Sequence, residues 1–571
     1  MSLRLAGILL SLLVVYLAGN NAVSLWDRDE PRYAQASRQM LDSGDWTTPM
    51  LLDELRLKKP PLIYWCQATA MKLFGVTAGA ARLPSVIATA LTLVLIATAL
   101  SRGSDARTAL WTTLIYGTTG LTIAAAKMSI TDATLTLFIV TAQICLYRLW
   151  IGRWCWMTVI GMGLSIGLAG LTKGPVVLGV LGMTALALFV FKFCVGGADI
   201  PVCHRVPRDC GGGDSLESCG RQECLPHRGM LVLNIGVILL LAAAVVAPWM
   251  IFLESEHPGA ITSMLRSEVF NRIAKPQEGH TGPPGFYLLV VWGTFFPWSL
   301  LLPAAVVDGW KNRHDAKVRF ALAAVIGPWV MFELIATKLP HYVLPTYAPL
   351  AYLIARVLLR SADGLTVELR QPHWPKVAAA WAGIVAIVAL FPWLAVWAYG
   401  PLPAIAVIGS IAVSVWGALF AWRTVANFAR HQPTRAAAWM GAGVLGVFLL
   451  CFTLVFPFSP YLRLSQRIAA MLPPNLAVGE AIMIDYKEPS LAFYQGGSIR
   501  PEPRNDFLAT VDSTKWPNWI VTTTDVWTAT PQASKDLLDI AGRIAGWGYA
   551  DGNRRLELLI LRKKRRNEQD G

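Results

Sequence analysis

The chain has 571 residues, of which 54% are hydrophobic and 15% charged, with a mean hydropathy of +0.48. A soluble domain carries about 25% charged residues, so this composition excludes a soluble globular protein, a disordered chain and an ordinary nucleic-acid module, and indicates a polytopic membrane protein. The net charge of +14 is read as Lys and Arg in cytoplasmic loops, which set topology and face anionic lipid; no nucleic-acid partner is expected.

Crossing a bilayer takes about 20 apolar residues. Thirteen candidate spans follow in chain order: 5–26, 83–101, 109–126, 133–147, 154–172, 174–191, 229–253, 285–307, 320–337, 339–359, 377–399, 403–422 and 436–457. The charge-free run 377–422 is divided by the turn Tyr399-Gly400-Pro401-Leu402-Pro403. No cleavage site follows the first span, which is read as a retained helix. Arg102/Arg107, Arg148/Arg153, Lys311/Arg313/Lys317/Arg319, Arg360/Arg370/Lys376 and Arg423/Arg430/Arg435 fall in alternate loops, which are therefore placed in the cytoplasm. The chain divides into a transmembrane domain, 1–457, with a first outer loop at 27–82 and a cytoplasmic insert at 194–228, and an outer C-terminal domain, 458–571. Within the latter, strands at 481–484, 519–522 and 556–561 and a helix at 534–546 predict a small α/β domain. The final Lys563-Lys564-Arg565-Arg566 reads as a solvated tail.

Charge is scarce overall but dense in one place: thirteen of the 35 residues from Trp26 to Pro60 are charged. Asp29 or Glu30 caps a helix with Pro31 at its start, which runs to about Met40 and stops at Ser43-Gly44-Asp45. Arg32 shares a face with Asp29. Alone, this segment would be a solvated amphipathic helix lying on the membrane. The other outer turns weigh against that. Lys127 and Asp132 bracket one tight turn, Lys173 lies in a second, and Lys338, His341 and Tyr342 lie in a third. Connections this short hold their charges at the membrane boundary, where a charge prefers a partner or a water-filled cavity. Each lysine alone would be a snorkelling anchor; together, on one face, they predict a polar cavity at bilayer depth. Glu333, near the outer end of its span, is expected to line it or reach the interface. Lys58-Lys59-Pro60-Pro61 opens a helix, and Arg266 and Arg272 lie in the outer segment 254–284. Ammonium and guanidinium groups in low dielectric suit a phosphate, and a carboxylate among them suits a base or orienting group. The residues predict an enzyme or transporter for a lipid-borne phosphate ester.

Cys66, Cys145, Cys155 and Cys451 sit in apolar contexts and read as packing residues. Cys194, Cys203, Cys210, Cys219 and Cys224 cluster in the insert with His204 and His227. Their spacings do not match a zinc knuckle, and a flexible loop is expected.

The series Arg28-Asp29-Glu30-Pro31-Arg32-Tyr33-Ala34, Ser43-Gly44-Asp45-Trp46, Lys59-Pro60-Pro61-Leu62-Ile63-Tyr64-Trp65 and Ala81-Arg82-Leu83-Pro84 resembles the bacterial lipid-A aminoarabinose transferases and the wider protein-mannosyltransferase-like group of GT-C glycosyltransferases. The similarity continues through Thr131-Asp132-Ala133, Leu171-Thr172-Lys173-Gly174-Pro175, Gly279-His280-Thr281-Gly282-Pro283, Phe296-Pro297-Trp298 and Lys338-Leu339-Pro340-His341-Tyr342, and Asp485-Tyr486 with Phe493-Tyr494 resembles the start of the family's periplasmic domain. The resemblance implies an α-helical polytopic membrane protein of GT-C type, with about 13 transmembrane helices and a small C-terminal α/β periplasmic domain. It implies transfer of a sugar, 4-amino-4-deoxy-L-arabinose among the candidates, from a polyprenyl (undecaprenyl) phosphate carrier to lipid A or another periplasmic acceptor at the bacterial inner membrane. By the same resemblance Asp29 is the catalytic carboxylate, Arg32 and Lys173 stand near it, Lys59 contacts the carrier phosphate with Lys58 and Arg272 beside it, and Asp132 corresponds to a carboxylate near a metal in some members. Those members carry Glu where this chain has Lys58. An ammonium offers a metal no lone pair, so no cofactor is expected and a divalent ion at Asp132 is disfavoured. Two alternatives stay open: a protein O-mannosyltransferase-like enzyme with a protein acceptor, and a lipid-linked sugar transporter or flippase. A transporter predicts internal repeats and broken mid-membrane helices; neither is evident.

Overall fold

Backbone polar groups in hydrocarbon must be satisfied within the segment itself, so long apolar runs become helices. The computed structural model describes residues 3–26, 29–195, 228–274, 276, 281–486, 488–510, 515–548 and 554–564. Among these, nine helices are long and apolar enough to cross a bilayer: Ala78–Gly103, Asp132–Trp150, Trp156–Lys173, Val176–Phe193, Leu231–Glu256, Pro340–Ala362, Trp374–Leu394, Ala404–Ala429 and Pro433–Phe458. They coincide with nine of the thirteen expected spans. Of the remaining four, three are short or broken and the fourth is a continuous helix outside this apolar set. The first helix, Leu3–Leu17, is short and ends where Gly19 takes a positive φ of 71°. The 109–126 run is divided into Ala106–Gly117 and Gly120–Ala126, because the Thr118 and Thr119 hydroxyls bond back to Leu114 O and Ile115 O at the break. The 285–307 run becomes Phe286–Thr294, a 3-10 turn Trp298–Leu301 and Leu302–Lys311, with Pro297 at the break. The last is Ala316–Leu334.

Several of the Lys- and Arg-bearing loops meet on one side of the molecule. On one face Arg107 meets Asp363 at 3.0 Å, Lys311 meets Glu368 at 2.6 Å, and Arg356 and Arg360 both meet Asp308, at 3.3 and 3.2 Å. The expected cysteine and histidine cluster falls on residues 196–227, outside the described residues, as does the Cys194 side chain. Of the other four cysteines, Cys145 is buried, Cys66 and Cys451 are half-buried, and Cys155 is exposed at the start of Trp156–Lys173 instead of packing.

On the opposite face lie the first outer loop, with its short strand pair β1 (Met50–Leu51) and β2 (Glu54–Leu55), and the C-terminal domain. That domain is a five-stranded mixed sheet in the order β4-β3-β5-β7-β6, with β3 Ala481–Ile484, β4 Arg500–Glu502, β5 Trp519–Thr523, β6 Leu538–Gly548 and β7 Arg554–Lys563. β3 is parallel to β4 and β5, while β7 is antiparallel to β5 and β6. The three expected strands are present. The expected helix 534–546 is not: only Gln532–Lys535 is helical, and the rest is β6. Gly542 and Gly546 each cost a helix about 1 kcal/mol, and a Cβ at Gly546 would meet Leu464 Cδ1 at 2.6 Å, so glycine here lets the sheet approach the Leu464–Ala469 helix. Antiparallel pairing along β7 supplies the hydrogen bonds.

Candidate active site

The helix Asp29–Ser43 begins with two acids, which suit the positive end of its dipole. The two go opposite ways. Glu30 is fully buried and accepts hydrogen bonds from Arg82 Nε and NH2 at 2.9 and 2.8 Å, Trp26 N at 2.7 Å and Ser129 N at 2.6 Å. Arg82, also fully buried, spends its other donors on the carbonyls of Asn20, Val23 and Ser24. A buried ion pair survives only when its remaining hydrogen bonds are met, as here. The pair ties the start of Asp29–Ser43 to the Ala78–Gly103 helix and to the turn that leads into Asp132. Asp29, one residue earlier, keeps 69% of its side chain exposed and pairs with Arg32 at 3.6 Å.

Asp29 stands on the wall of a cavity of about 390 Å³. Lys58, Lys59, Asp132, Lys173, Arg272, His341 and Tyr342 line the same cavity, with Tyr33, Arg56 and Glu268 and an apolar wall that includes Val176, Val269 and Ile335. Residues from six stretches of sequence thus meet in one place. Two polar groups stand out within it. In one, Asp132 Oδ1 accepts from Lys173 Nζ at 2.7 Å, with His341 Nε2 at 3.7 Å from the same oxygen; Lys173 also lies over the Tyr342 ring at 5.2 Å. In the other, Glu268 accepts from Lys59 Nζ and, at 3.2 Å, from Arg272 Nε, and Arg272 NH1 reaches Tyr342 OH at 3.4 Å. Burial pushes the Lys59 ammonium down to about 8, with Arg272 and Lys173 adding to the effect, although the Glu268 carboxylate opposes it. For Glu268 burial acts upward, but Lys59 and Arg272 win and hold its carboxyl below the usual glutamate range.

Four expected residues lie off the cavity wall. Arg32 reaches it only through Asp29. Glu333 accepts from Gly285 N at 3.2 Å and Tyr287 N at 2.7 Å, capping the orphan amides of Phe286–Thr294, and pairs with Lys338 at 2.8 Å. Lys338 and Glu333 therefore close a helix end instead of lining the cavity. Lys127 bonds to Tyr16 O, Ala18 O and Asn20 Oδ1 and lies 4.2 Å from the Phe452 ring centroid, so it satisfies the end of the first helix. Sequence reasoning missed Glu268, Arg56 and the Glu30–Arg82 pair. Only Glu268 left a signal, its i,i+4 spacing to Arg272.

A divalent ion fits poorly. Among the described residues no three His, Cys, Asp or Glu side chains come together as a ligand set. Asp132 already accepts from an ammonium, and Lys58 adds a second cation to the same cavity, so the donor set repels a dication.

The family model of dolichyl-phosphate-mannose-protein mannosyltransferases matches residues 1–204. An undecaprenyl phosphate-alpha-4-amino-4-deoxy-L-arabinose arabinosyl transferase of Serratia proteamaculans is 29% identical over 439 residues, covering 74% of this chain and 72% of the relative. Its counterpart in Pectobacterium carotovorum is 31% identical over 389 residues, 67% and 64% of the two chains. Among solved structures, ArnT from Cupriavidus metallidurans bound to undecaprenyl phosphate superimposes with a TM-score of 0.70 at 20% identity over 97% of each chain, which shows a shared fold. The apo form of that protein gives 0.68. The multi-pass helical fold, the relatives along most of its length and the order of the motifs agree: the chain is similar to the aminoarabinose transferases and the protein-mannosyltransferase-like enzymes of the GT-C group, and it shares the fold of ArnT.

Proposed function

We propose that this enzyme moves 4-amino-4-deoxy-L-arabinose from an undecaprenyl phosphate carrier to lipid A or another acceptor, on the periplasmic face of the bacterial inner membrane. The observation that carries the reading is a single cavity in which Asp29 stands on a wall shared with Lys58, Lys59, Lys173 and Arg272. Its volume of about 390 Å³ is at the small end of ligand pockets and suits one sugar and its phosphate. The sugar and the carrier are those for which the similar transferases of Serratia proteamaculans and Pectobacterium carotovorum are named.

In the reaction the bond between the sugar's anomeric carbon and the carrier phosphate oxygen breaks, and an acceptor oxygen takes its place. Negative charge builds on the leaving phosphate. Lys59 and Arg272 lie where they can hold that charge, and donors fixed in advance at the site of developing charge are the largest lever a protein has. Asp29 faces the anomeric carbon and stabilises its oxocarbenium-like positive charge, or accepts the proton of an acceptor hydroxyl. A lipid A phosphate acceptor is already an anion and needs no base.

Asp29→Asn, assayed in membranes with lipid-linked aminoarabinose and lipid A, is expected to abolish transfer while expression stays normal. Near-normal turnover would end the assignment. Mass spectrometry of a strain lacking the chain separates the acceptors. Loss of aminoarabinose from lipid A supports the reading, and loss of hexose from membrane proteins would move the enzyme to the protein-mannosyltransferase-like alternative.

A further inference from the structure

One carboxylate inside the cavity occupies the place expected for an anion. Glu268 lies 209 residues from Lys59 in sequence, yet its Oε2 accepts from Lys59 Nζ and also from Arg272 Nε at 3.2 Å, while Oε1 lies 3.4 Å from Arg272 NH2. A carboxylate and a phosphoryl group compete for the same ammonium and guanidinium donors. The lipid phosphate must therefore compete with Glu268 for the donors these two cations turn toward it.

The backbone that carries Glu268 suits a movable group. Arg266–Phe270 is a π-helical turn between the short helices Ala260–Leu265 and Asn271–Ala274, and none of its residues is buried. Such turns recur at functional sites, and a segment with few buried contacts opens at low cost. The two ion pairs hold the Glu268 side chain, while the flanks are fixed by backbone bonds from Ala336 and Thr337 to Ile273 O and Arg272 O.

Resting on the reading above, we infer that Glu268 is an internal stand-in for the carrier phosphate: it fills the Lys59–Arg272 clamp in the empty enzyme, leaves when the donor phosphate enters, and returns to help expel the spent carrier. The charges explain why such a group is useful. The donor phosphate is a diester with one negative charge, whereas the spent carrier is a monoester approaching two at pH 7. A clamp of two cations therefore holds product more tightly than donor. A competing carboxylate weakens both, and the gain falls on product release.

The test uses the purified full-length protein in nanodiscs, with undecaprenyl phosphate as the binding probe and the lipid-linked sugar as donor. Glu268→Gln is expected to bind undecaprenyl phosphate on the order of tenfold more tightly, to lower KM for the donor, to lower kcat and to become more sensitive to inhibition by added undecaprenyl phosphate. Glu268→Asp, which keeps the charge, should stay near wild type in product inhibition. If Glu268→Gln binds the probe no more tightly than wild type while wild type transfers sugar normally, the carboxylate only positions Lys59 and the inference falls alone. A wild-type protein that neither binds undecaprenyl phosphate nor transfers sugar would overturn the functional reading and this inference with it.

Discussion

Lys59 shows how one buried side chain sets a condition on activity. Burial among Arg272 and Lys173 brings its ammonium to about 8, against an ordinary value of 10.5, and Glu268 only partly restores it. The charged form is thus present below that pH and lost as pH rises through it. KM for the lipid-linked donor should be flat below about pH 7 and rise above about 8, with a slope approaching tenfold per pH unit. Lys59→Arg, whose guanidinium stays charged throughout, should flatten the alkaline limb of a KM–pH profile. Asp132 gives a second prediction at this scale. Its carboxylate is taken by Lys173 at 2.7 Å, so exhaustive dialysis against EDTA should leave transfer unchanged; a loss restored by a divalent ion would show that a ligand set assembles here after all. At the residue scale the sequence was informative where local rules apply: Asp29 and Pro31 mark a helix start, and Lys58 and Lys59 precede two prolines. It did not reveal the partnership of Glu268 with Lys59, because nothing in a chain states that residues 209 positions apart form an ion pair.

Among the elements, the Glu30–Arg82 pair joins the start of the Asp29–Ser43 helix to the Ala78–Gly103 span with both side chains fully buried. Glu30→Gln leaves a buried guanidinium without its counter-charge, which costs about 3–5 kcal/mol; the thermal midpoint in detergent should fall markedly, and Arg82→Lys should not restore the two-pronged contact. Close approach of helices is the other constraint. A Cβ on Gly327 would lie 2.2 Å from Met183 O, so Gly327→Ala should push Ala316–Leu334 away from its neighbour and lower the same midpoint by the equivalent of about 1–3 kcal/mol. The long charge-free spans were legible, since hydrocarbon leaves no alternative to a helix. The breaks near Thr118 and Pro297 and the strand at 538–548 were not. An apolar stretch of β6 reads equally well at helical or strand period, and pairing with β7, a partner later in the chain, decides between them.

Across the whole molecule, the C-terminal domain rests on the first outer loop. Leu25 N donates to Tyr494 OH at 2.8 Å, Arg38 NH1 donates to Phe493 O at 2.9 Å, and Arg500 meets Asp53 at 2.6 Å. These contacts are unequal. Asp53 is 70% exposed, and such a pair contributes less than about 1 kcal/mol, so Arg500→Ala should barely change thermal stability. Tyr494→Phe strands the Leu25 amide and should cost about 1–3 kcal/mol. Because Leu25 lies a few residues before Asp29, a kcat measurement on Tyr494→Phe also reports whether the domain helps hold the Asp29 loop.

By itself the sequence determined a polytopic membrane protein and a densely charged segment around Asp29, because apolar length and helix caps act locally along the chain. Only the tertiary structure decided which of the outer charges share a cavity. Lys58, Lys59, Lys173, Asp132 and Arg272 converge there, while Lys127, Glu333 and Lys338, equally suggestive in sequence, are spent closing helix ends. A buried charge must find partners wherever the fold supplies them, and that supply is set by packing between distant segments, which no local pattern records.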